Sequence, residues 1–553
     1  MTLFLICLNA IAKVPKRSVA SDSPKQVRGG SQPCKRNAVG SVVAGPKDLF
    51  SKRGKLELTL SYDSNVDEDG NTQYCYLTEN NERSPTLHLK PGDDLILTIR
   101  NNTVAQSSDA IVQMQKDMEP RPGEKSQACG PATKMDSSTT NVHFHGTNVS
   151  PKCGEDEAIY TMINHGDSFT YRVHFPKDEP PGLYWYHPHV HGVAEPALLG
   201  GASGAIIVEG IQHIQRKTAA LRERVLVLRD NLVPGNPKPG GLIPSWDLSL
   251  NYVPVPYPKY SPAIIKMRPN QRELWRVLNA SADTIIDLQL TYDGVVQSLR
   301  VVGLDGVPTG SQDDNHLGTE ILKNHIFLPP AARAEFIIDG PSKGIKTAQL
   351  STLAIDTGPA GDNDPARTIA SIQTDAKASL PPVKIPHEFH LPFEQRFEGV
   401  TNTKVSIKRK LYFSEVISNP ADPASPTDFF ITVDGAKSEK FSTQAEPAIT
   451  TTEGTVEEWT IENRSTENHE FHIHQIHFLL TGRNGQTVLK DDQQFLDMVD
   501  IPYWSGDKKD PYPSVTLQMD FRGNIAGDFV YHCHILGHED NGMMAKIRVL
   551  PRK

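Results

Sequence analysis

The chain is 553 residues long and carries 57 Lys and Arg against 66 Asp and Glu, a net charge of −9; that balance argues against the basic face of a nucleic-acid-binding protein. Mean hydropathy is −0.41, and no apolar run reaches the roughly 18 residues that a membrane-crossing helix needs. At roughly 150 residues per domain the length allows three to four domains, and 40 Gly with 42 Pro suit turn-rich β structure better than a helical bundle.

The first segment, Met1 to Ala12, is short and largely apolar, with Lys13, Lys16 and Arg17 behind it. It reads as an export signal without the usual leading basic region, and residues 18–47 read as a flexible leader. Six cysteines occur. Cys7 leaves with the signal. Cys34, Cys75, Cys129 and Cys153 can form two disulfides in an oxidising compartment, with three connectivities open. No Cys-x-x-Cys pair marks a zinc site.

Three segments then repeat one pattern. Gly92 to Asn101 reads GDDLILTIRN, Asn270 to Asn279 reads NQRELWRVLN, and Gly454 to Asn463 reads GTVEEWTIEN. Each runs from a turn residue through alternating apolar positions to an Asn, which predicts a turn followed by a half-buried strand. Their starts lie 178 and 184 residues apart, so three β units of near-equal size are expected. Asn101, Asn279 and Asn463 each open an Asn-x-Ser/Thr triplet; their recurrence points to a role in the fold, not to glycosylation. Ala205–Glu209, Val225–Arg229, Glu335–Asp339 and Lys546–Leu550 read as closing strands of sandwiches. Residues 104–140 read as a polar surface insertion, and 233–239 and 380–386 as Pro-rich joints.

Of 20 histidines, twelve fall in four short windows where random placement would put about one, and imidazole is a common ligand for copper, zinc and iron. The windows are HFHG from His143, WYHPHVHG from Trp185, HEFHIHQIH from His469 and HCHILGHEDNGMM from His532. On a strand, residues i and i+2 face one side, so each His-x-His presents two imidazoles together, and Cys533 points away from His532 and His534. A thiolate, two imidazoles and a weak thioether make a blue-copper site; Cys533, His538 and Met543 supply three of these, and His469 the second imidazole. Zinc is the alternative ion, but it has no need of the thioether. The eight imidazoles His143, His145, His187, His189, His472, His474, His532 and His534 are too many for one ion and could hold three.

These motifs, in this order, resemble those of the three-domain multicopper oxidases, laccase-like and of bacterial type. The resemblance covers roughly residues 50–550. It implies an all-β chain of three cupredoxin-like Greek-key β-sandwich domains, divided as leader 1–47, domain 1 at 48–210, a copperless domain 2 at 211–380 and domain 3 at 381–553. The metal cluster is then expected between domains 1 and 3. It also implies four copper ions: type 1 on His469, Cys533, His538 and Met543; type 2 on His143 and His472; the type 3 pair on His145, His187, His189, His474, His532 and His534. Glu470 stands where Pro is frequent in the family. His477 and His191 are assigned no metal, Met544 is assigned to packing, and the eight histidines outside the windows, His88 among them, are read as ordinary.

The implied activity is a laccase-like oxidoreductase that couples four one-electron oxidations of phenolic or similar small reductants to reduction of dioxygen to water. A Cu(I) or Mn(II) metal-ion oxidase and a bilirubin-type oxidase are the alternatives, and a non-catalytic copper-binding scaffold is a further class. Candidate catalytic residues are His538 as electron entry, Cys533 as the link, Glu539 as proton donor and Asp156, with Glu155, as a proton relay near type 2 copper; a solvated acidic loop is the plainer reading of the last two. The loop Pro502–Ser514 is a candidate wall of the substrate site. Dioxygen and a small reductant are the expected partners, with a monomeric, secreted or periplasmic protein and no membrane span.

Overall fold

In the computed structural model, the described residues are 32–103, 129, 135, 137–233, 243–313, 316–381, 395–419 and 426–553. The export signal, most of the 104–140 insertion, most of both Pro-rich joints and His387 and His390 lie outside them.

Three two-sheet sandwiches follow one another, and the repeated segments form the same strand in each: Asp94–Asn101, Arg272–Asn279 and Val456–Asn463. Each lies parallel to the first long strand of its unit, Lys55–Val66, Arg222–Leu232 or Ile407–Ile417, and antiparallel to Ser168–His174, Arg333–Asp339 or Ser514–Asp520. The turn residue before each strand has positive φ, 86° at Gly92, 56° at Asn270 and 90° at Gly454, a conformation that Gly and Asn tolerate best.

The terminal Asn of each strand is fully buried and works as a clip. Asn279 Nδ2 donates to the carbonyls of Thr284, Leu328 and Pro329, and its Oδ1 accepts the Ser281 N–H. Asn101 and Asn463 repeat the arrangement. A buried loop carries main-chain groups that must be paired, and one amide side chain serves three or four of them.

Two of the expected closing strands are different elements. Val225–Arg229 belongs to the strand that opens the second unit, and Glu335–Asp339 to a central strand beside Arg272–Asn279. Period-2 apolar runs look alike whether a strand is central or terminal. Gly204–Val208 and Met544–Leu550 do close the second sheets of the first and third units.

The leader departs from expectation from residue 32 onward. Cys34 is bonded to Cys75, Arg36 donates to Gln73 and to the Leu199 carbonyl, and Val43 N–H donates to the Ile264 carbonyl on the second sandwich. The covalent tie and these edge contacts fix a segment whose composition is that of a coil. The second disulfide joins Cys129 and Cys153. Met135, Ser138, Thr139 and Thr140 are buried, so the C-terminal end of the insertion packs inward and is not surface loop. His88 is also not ordinary: it is buried with Nε2 2.8 Å from Asp48 Oδ1 and Nδ1 2.7 Å from Glu209 Oε1.

Apolar burial holds the units together as well as each unit alone. Trp185, Trp275 and Trp459 are fully buried, one per sandwich, each contributing about 4–6 kcal/mol of transfer free energy at about 25 cal/mol per Å². The core of the second sandwich is continuous with Leu183, Trp185, Ala194 and Leu198 of the first.

Candidate metal centres

The histidine windows sit at facing ends of the first and third sandwiches. His143 pairs with His187 across the antiparallel strands His143–His145 and Gly182–His187. His472 pairs with His532 across His469–Ile473 and Gly527–Cys533. All eight imidazoles are buried and meet in one cluster. His145, His187 and His534 form one trio, His189, His474 and His532 another, and His143 and His472 remain beside them. In the second trio the Nε2 atoms stand 3.2 to 3.3 Å apart. Nitrogens bound at about 2.0 Å to a common tetrahedral ion would be separated by about 3.3 Å.

The outward nitrogens are held. His143 Nδ1 lies 3.0 Å from both Asp156 oxygens, His187 Nδ1 meets the Pro188 carbonyl, His472 Nδ1 the Asp497 carbonyl and His532 Nδ1 the Cys533 carbonyl. This fixes the tautomer that turns Nε2 toward the centre. There the Nε2 atoms of His143, His145, His187, His472 and His534 are buried without a partner. Leaving that many polar atoms bare is costly, and a bound cation removes the cost. Burial pushes the titration of His145, His187, His472, His474 and His534 well below the ordinary range, aided by neighbouring imidazoles, and takes His189 to about 3. They stay neutral, as ligands must.

The second centre is 469/533/538. Cys533 Sγ lies 3.6 Å from His469 Nδ1 and 3.7 Å from His538 Nδ1, and those nitrogens are 3.1 Å apart. The short helix Leu536–Asp540 brings His538 back to the cysteine. Met543 is fully buried, with its N–H on the His538 carbonyl and its carbonyl on the Cys533 N–H. Burial opposes ionisation of Cys533, yet hydrogen bonding to His469 and His538 brings the thiol down to about 6, toward the thiolate a soft metal binds. Glu470 N–H donates to Cys533 Sγ at 3.4 Å, and the Glu470 carbonyl accepts from His534 N–H at 2.7 Å. A zinc ion would also fit three such donors; the thioether-bearing Met543 and the neighbouring eight-imidazole cluster favour copper.

Glu539 is buried with Oε2 3.0 Å from His532 Nδ1 and Oε1 3.6 Å from His189 Nε2. Although burial opposes it, these imidazoles hold its carboxyl well below the usual range. Asp156 is buried too, accepting from Phe144 N–H and Gln475 Nε2 as well as His143, so the solvated-loop reading applies only to Glu155, which is half-buried. His477 binds no site atom; its Nε2 meets the Asp305 carbonyl at 2.9 Å. His191 packs edge-on against Phe441, and Met544 packs with Ile159 and Val530.

His538 has an edge in a cavity, its side chain 11% exposed. Phe429 stacks on it at 4.3 Å. Glu195, Asp283, Asp362, Asp364 and Glu467 share that cavity, of about 250 Å³, and among its described lining residues none is Lys or Arg. Asp283 Oδ2 and Asp364 Oδ1 are buried without a hydrogen-bond partner, the latter 3.8 Å from Arg367 Nη2. No residue of the loop Pro502–Ser514 lines this cavity; its Tyr503 hydroxyl instead donates to Asp356.

Three residues outside the windows went unread in the sequence. Arg333 and Asp305, from the second sandwich, and Asp497, from the third, form a buried set beside His145 and His472. The only local signal was a charged residue inside an apolar stretch, AARAEFIID.

Multicopper oxidase family models match residues 133–213 and 418–553. The "Multicopper oxidase LPR1 homolog 1" of Oryza sativa is 21% identical, over 74% of this chain and 75% of its own length. The "Multicopper oxidase mco" of Staphylococcus aureus is 22% identical, over 91% and 94%. A solved structure from Campylobacter jejuni, described as a metallo-oxidase, superposes with a TM-score of 0.64 at 21% identity, covering 94% of this chain and 97% of that one. With matched domains at both ends, three sandwiches and imidazole clusters tied to one buried cysteine, this chain belongs to the multicopper oxidase family of copper-dependent oxidoreductases.

Proposed function

We propose that the chain is a four-copper oxidase that takes single electrons from a small reductant and passes them to dioxygen. The observation that carries this reading is the pair of centres joined through one residue: Cys533 belongs to the first, and its chain neighbours His532 and His534 belong to the second. His469, Cys533, His538 and Met543 would hold type 1 copper, His143 and His472 type 2, and the two imidazole trios type 3. Bound copper supplies one-electron acceptance from the reductant and four-electron reduction of dioxygen to two waters. His538 offers its edge to the reductant. Cys533 gives the electron a path of a few covalent bonds. Glu539, against His532 and His189, is the proton relay for the four protons the reaction consumes, and Asp156 orients His143. The division at 210 and 380 places every described strand within one unit. Two disulfides support export to an oxidising compartment.

The cavity at His538 favours a cationic reductant, such as Cu(I) or Mn(II), over a neutral phenol, because Glu195, Asp362 and Glu467 line it and none of its described lining residues is Lys or Arg, while burial pushes Asp283 and Asp364 toward the protonated form. The test is metal analysis with an oxygen-uptake screen. About four coppers per chain with a blue absorption and oxygen consumption supports the oxidase; one or none returns the chain to a carrier or scaffold. Faster uptake with Cu(I) or Mn(II) than with phenols supports the cation reading, and metal-insensitive turnover of phenols rejects it.

A further inference from the structure

The middle sandwich carries no ligand, but it reaches the eight-imidazole cluster. Arg333 opens the strand Arg333–Asp339 and is fully buried. Its guanidinium forks onto Asp497, Nη1 to Oδ1 and Nη2 to Oδ2 at 2.6 Å each. Its Nε donates to the Leu183 carbonyl of the first sandwich, and Nη1 lies 3.3 Å from His145 Nδ1. One arginine therefore touches the other two sandwiches at the place where they meet.

Asp305, also from the middle sandwich, fixes the other side of the same segment. Its Oδ1 accepts the Arg333 N–H at 2.9 Å, and its Oδ2 accepts the N–H groups of Asp497 and Met498 at 3.2 Å each. Side chain and main chain of Asp497 are both gripped by the middle unit. The Asp497 carbonyl in turn accepts from His472 Nδ1 at 2.8 Å, leaving His472 Nε2 bare toward the centre. We propose that Arg333 and Asp305 are positioning residues for the type 2 site, acting through Asp497 on His472. This rests on the four-copper reading above.

Gly146 fits the same arrangement. A Cβ on it would collide with Arg333 Nη2 and Asp497 Oδ2, and its φ is +81°. The glycine after His145 is therefore the space in which the ion pair lies. The competing account is that Arg333 and Asp497 merely glue sandwiches together. Buried ion pairs are weak evidence for stability and can often be replaced by apolar groups at little cost, so thermal stability alone cannot separate the two accounts.

The deciding experiment uses the full copper-loaded chain with Arg333→Lys, which keeps the charge but loses the planar fork, and Asp305→Asn, a milder change should the first not fold. Type 1 absorption reports folding in the same sample, while the type 2 electron paramagnetic resonance signal and copper content report the cluster. The expected result is an intact type 1 band with an altered or missing type 2 signal and about 10–100-fold weaker retention of that copper, the usual effect of losing a partner behind a metal ligand. Unchanged type 2 signal and copper content in both variants, against a wild-type chain that shows the signal, overturns the inference alone. A wild-type chain without a type 2 signal overturns the copper assignment, and this inference with it.

Discussion

Replacing Asp156 separates geometry from charge at His143. The carboxylate takes three donors: His143 Nδ1 at 3.0 Å, Phe144 N–H at 2.9 Å and Gln475 Nε2 at 2.6 Å. In Asp156→Asn the retained oxygen can still accept from His143 and Phe144, while the new amide faces Gln475. Gln475 Oε1 has no partner, so a flip of that side chain restores the third bond. Only the charge is lost. Hydrogen bonds to charged groups contribute about 1.5–3 kcal/mol against about 1 for neutral ones, so the cost is about 2–3 kcal/mol, most of it at His143. Asp156→Ala instead orphans three buried donors at about 1–3 kcal/mol each, about 5 kcal/mol together. Urea unfolding of the metal-free protein should rank wild type, Asn, Ala in that order. Type 2 copper should be held about 10–100-fold more weakly in the Asn variant. An Asn variant that binds this copper as wild type does, or an Ala variant no less stable than Asn, refutes the reasoning.

Asp364 is raised from 3.8 to about 8, by burial above all and by Asp362 and Asp230. A carboxyl held protonated in the fold contributes stability that is complete below the unfolded value and lost as pH rises through the folded one. Wild type should therefore lose stability relative to Asp364→Asn between about pH 4 and pH 8, measured by urea midpoints; a constant difference across that range contradicts the assignment. Asp362→Asn, which can still accept from Trp246 Nε1, should raise KM for Cu(I) or Mn(II) about tenfold, the loss of roughly 1.4 kcal/mol of attraction at a partly buried site, and leave KM for a neutral phenol within about twofold; equal effects on both would remove the case for a cation site. Glu470→Pro deletes the amide donor to Cys533 Sγ and should lower the type 1 reduction potential, while Glu470→Gln, which keeps the amide, should not; a matching fall in both would assign the effect to the side chain.

The eight clustered imidazoles were legible because they come in His-x-His pairs at i and i+2, so they leave a dense local mark. His143/His145 and His532/Cys533/His534 need nothing but strand geometry to be read. The three-unit plan was legible for a similar reason: a positive-φ turn residue and a buried Asn bracket the same strand three times. Arg333, Asp305 and Asp497 were not legible. Their contacts span 164 and 192 residues, and an ion pair between sandwiches has no period. The leader was misread because its polar composition describes a coil, while its order comes from Cys34 and a few edge hydrogen bonds. Residues 502–514 do not line the cavity at His538, whose walls are assembled from all three units: Glu195, Asp283 and Glu467 share no local pattern.

The asparagine clips bear on how the protein can be made. Asn101, Asn279 and Asn463 each sit in an Asn-x-Ser/Thr triplet, and each spends its amide nitrogen on buried carbonyls. A secretory pathway that attaches sugars to nascent chains meets these triplets before the sandwiches close. A glycan added there would occupy the nitrogen that later ties the loop, so a host lacking such machinery, or one in which folding outruns it, is required for all three units to shut.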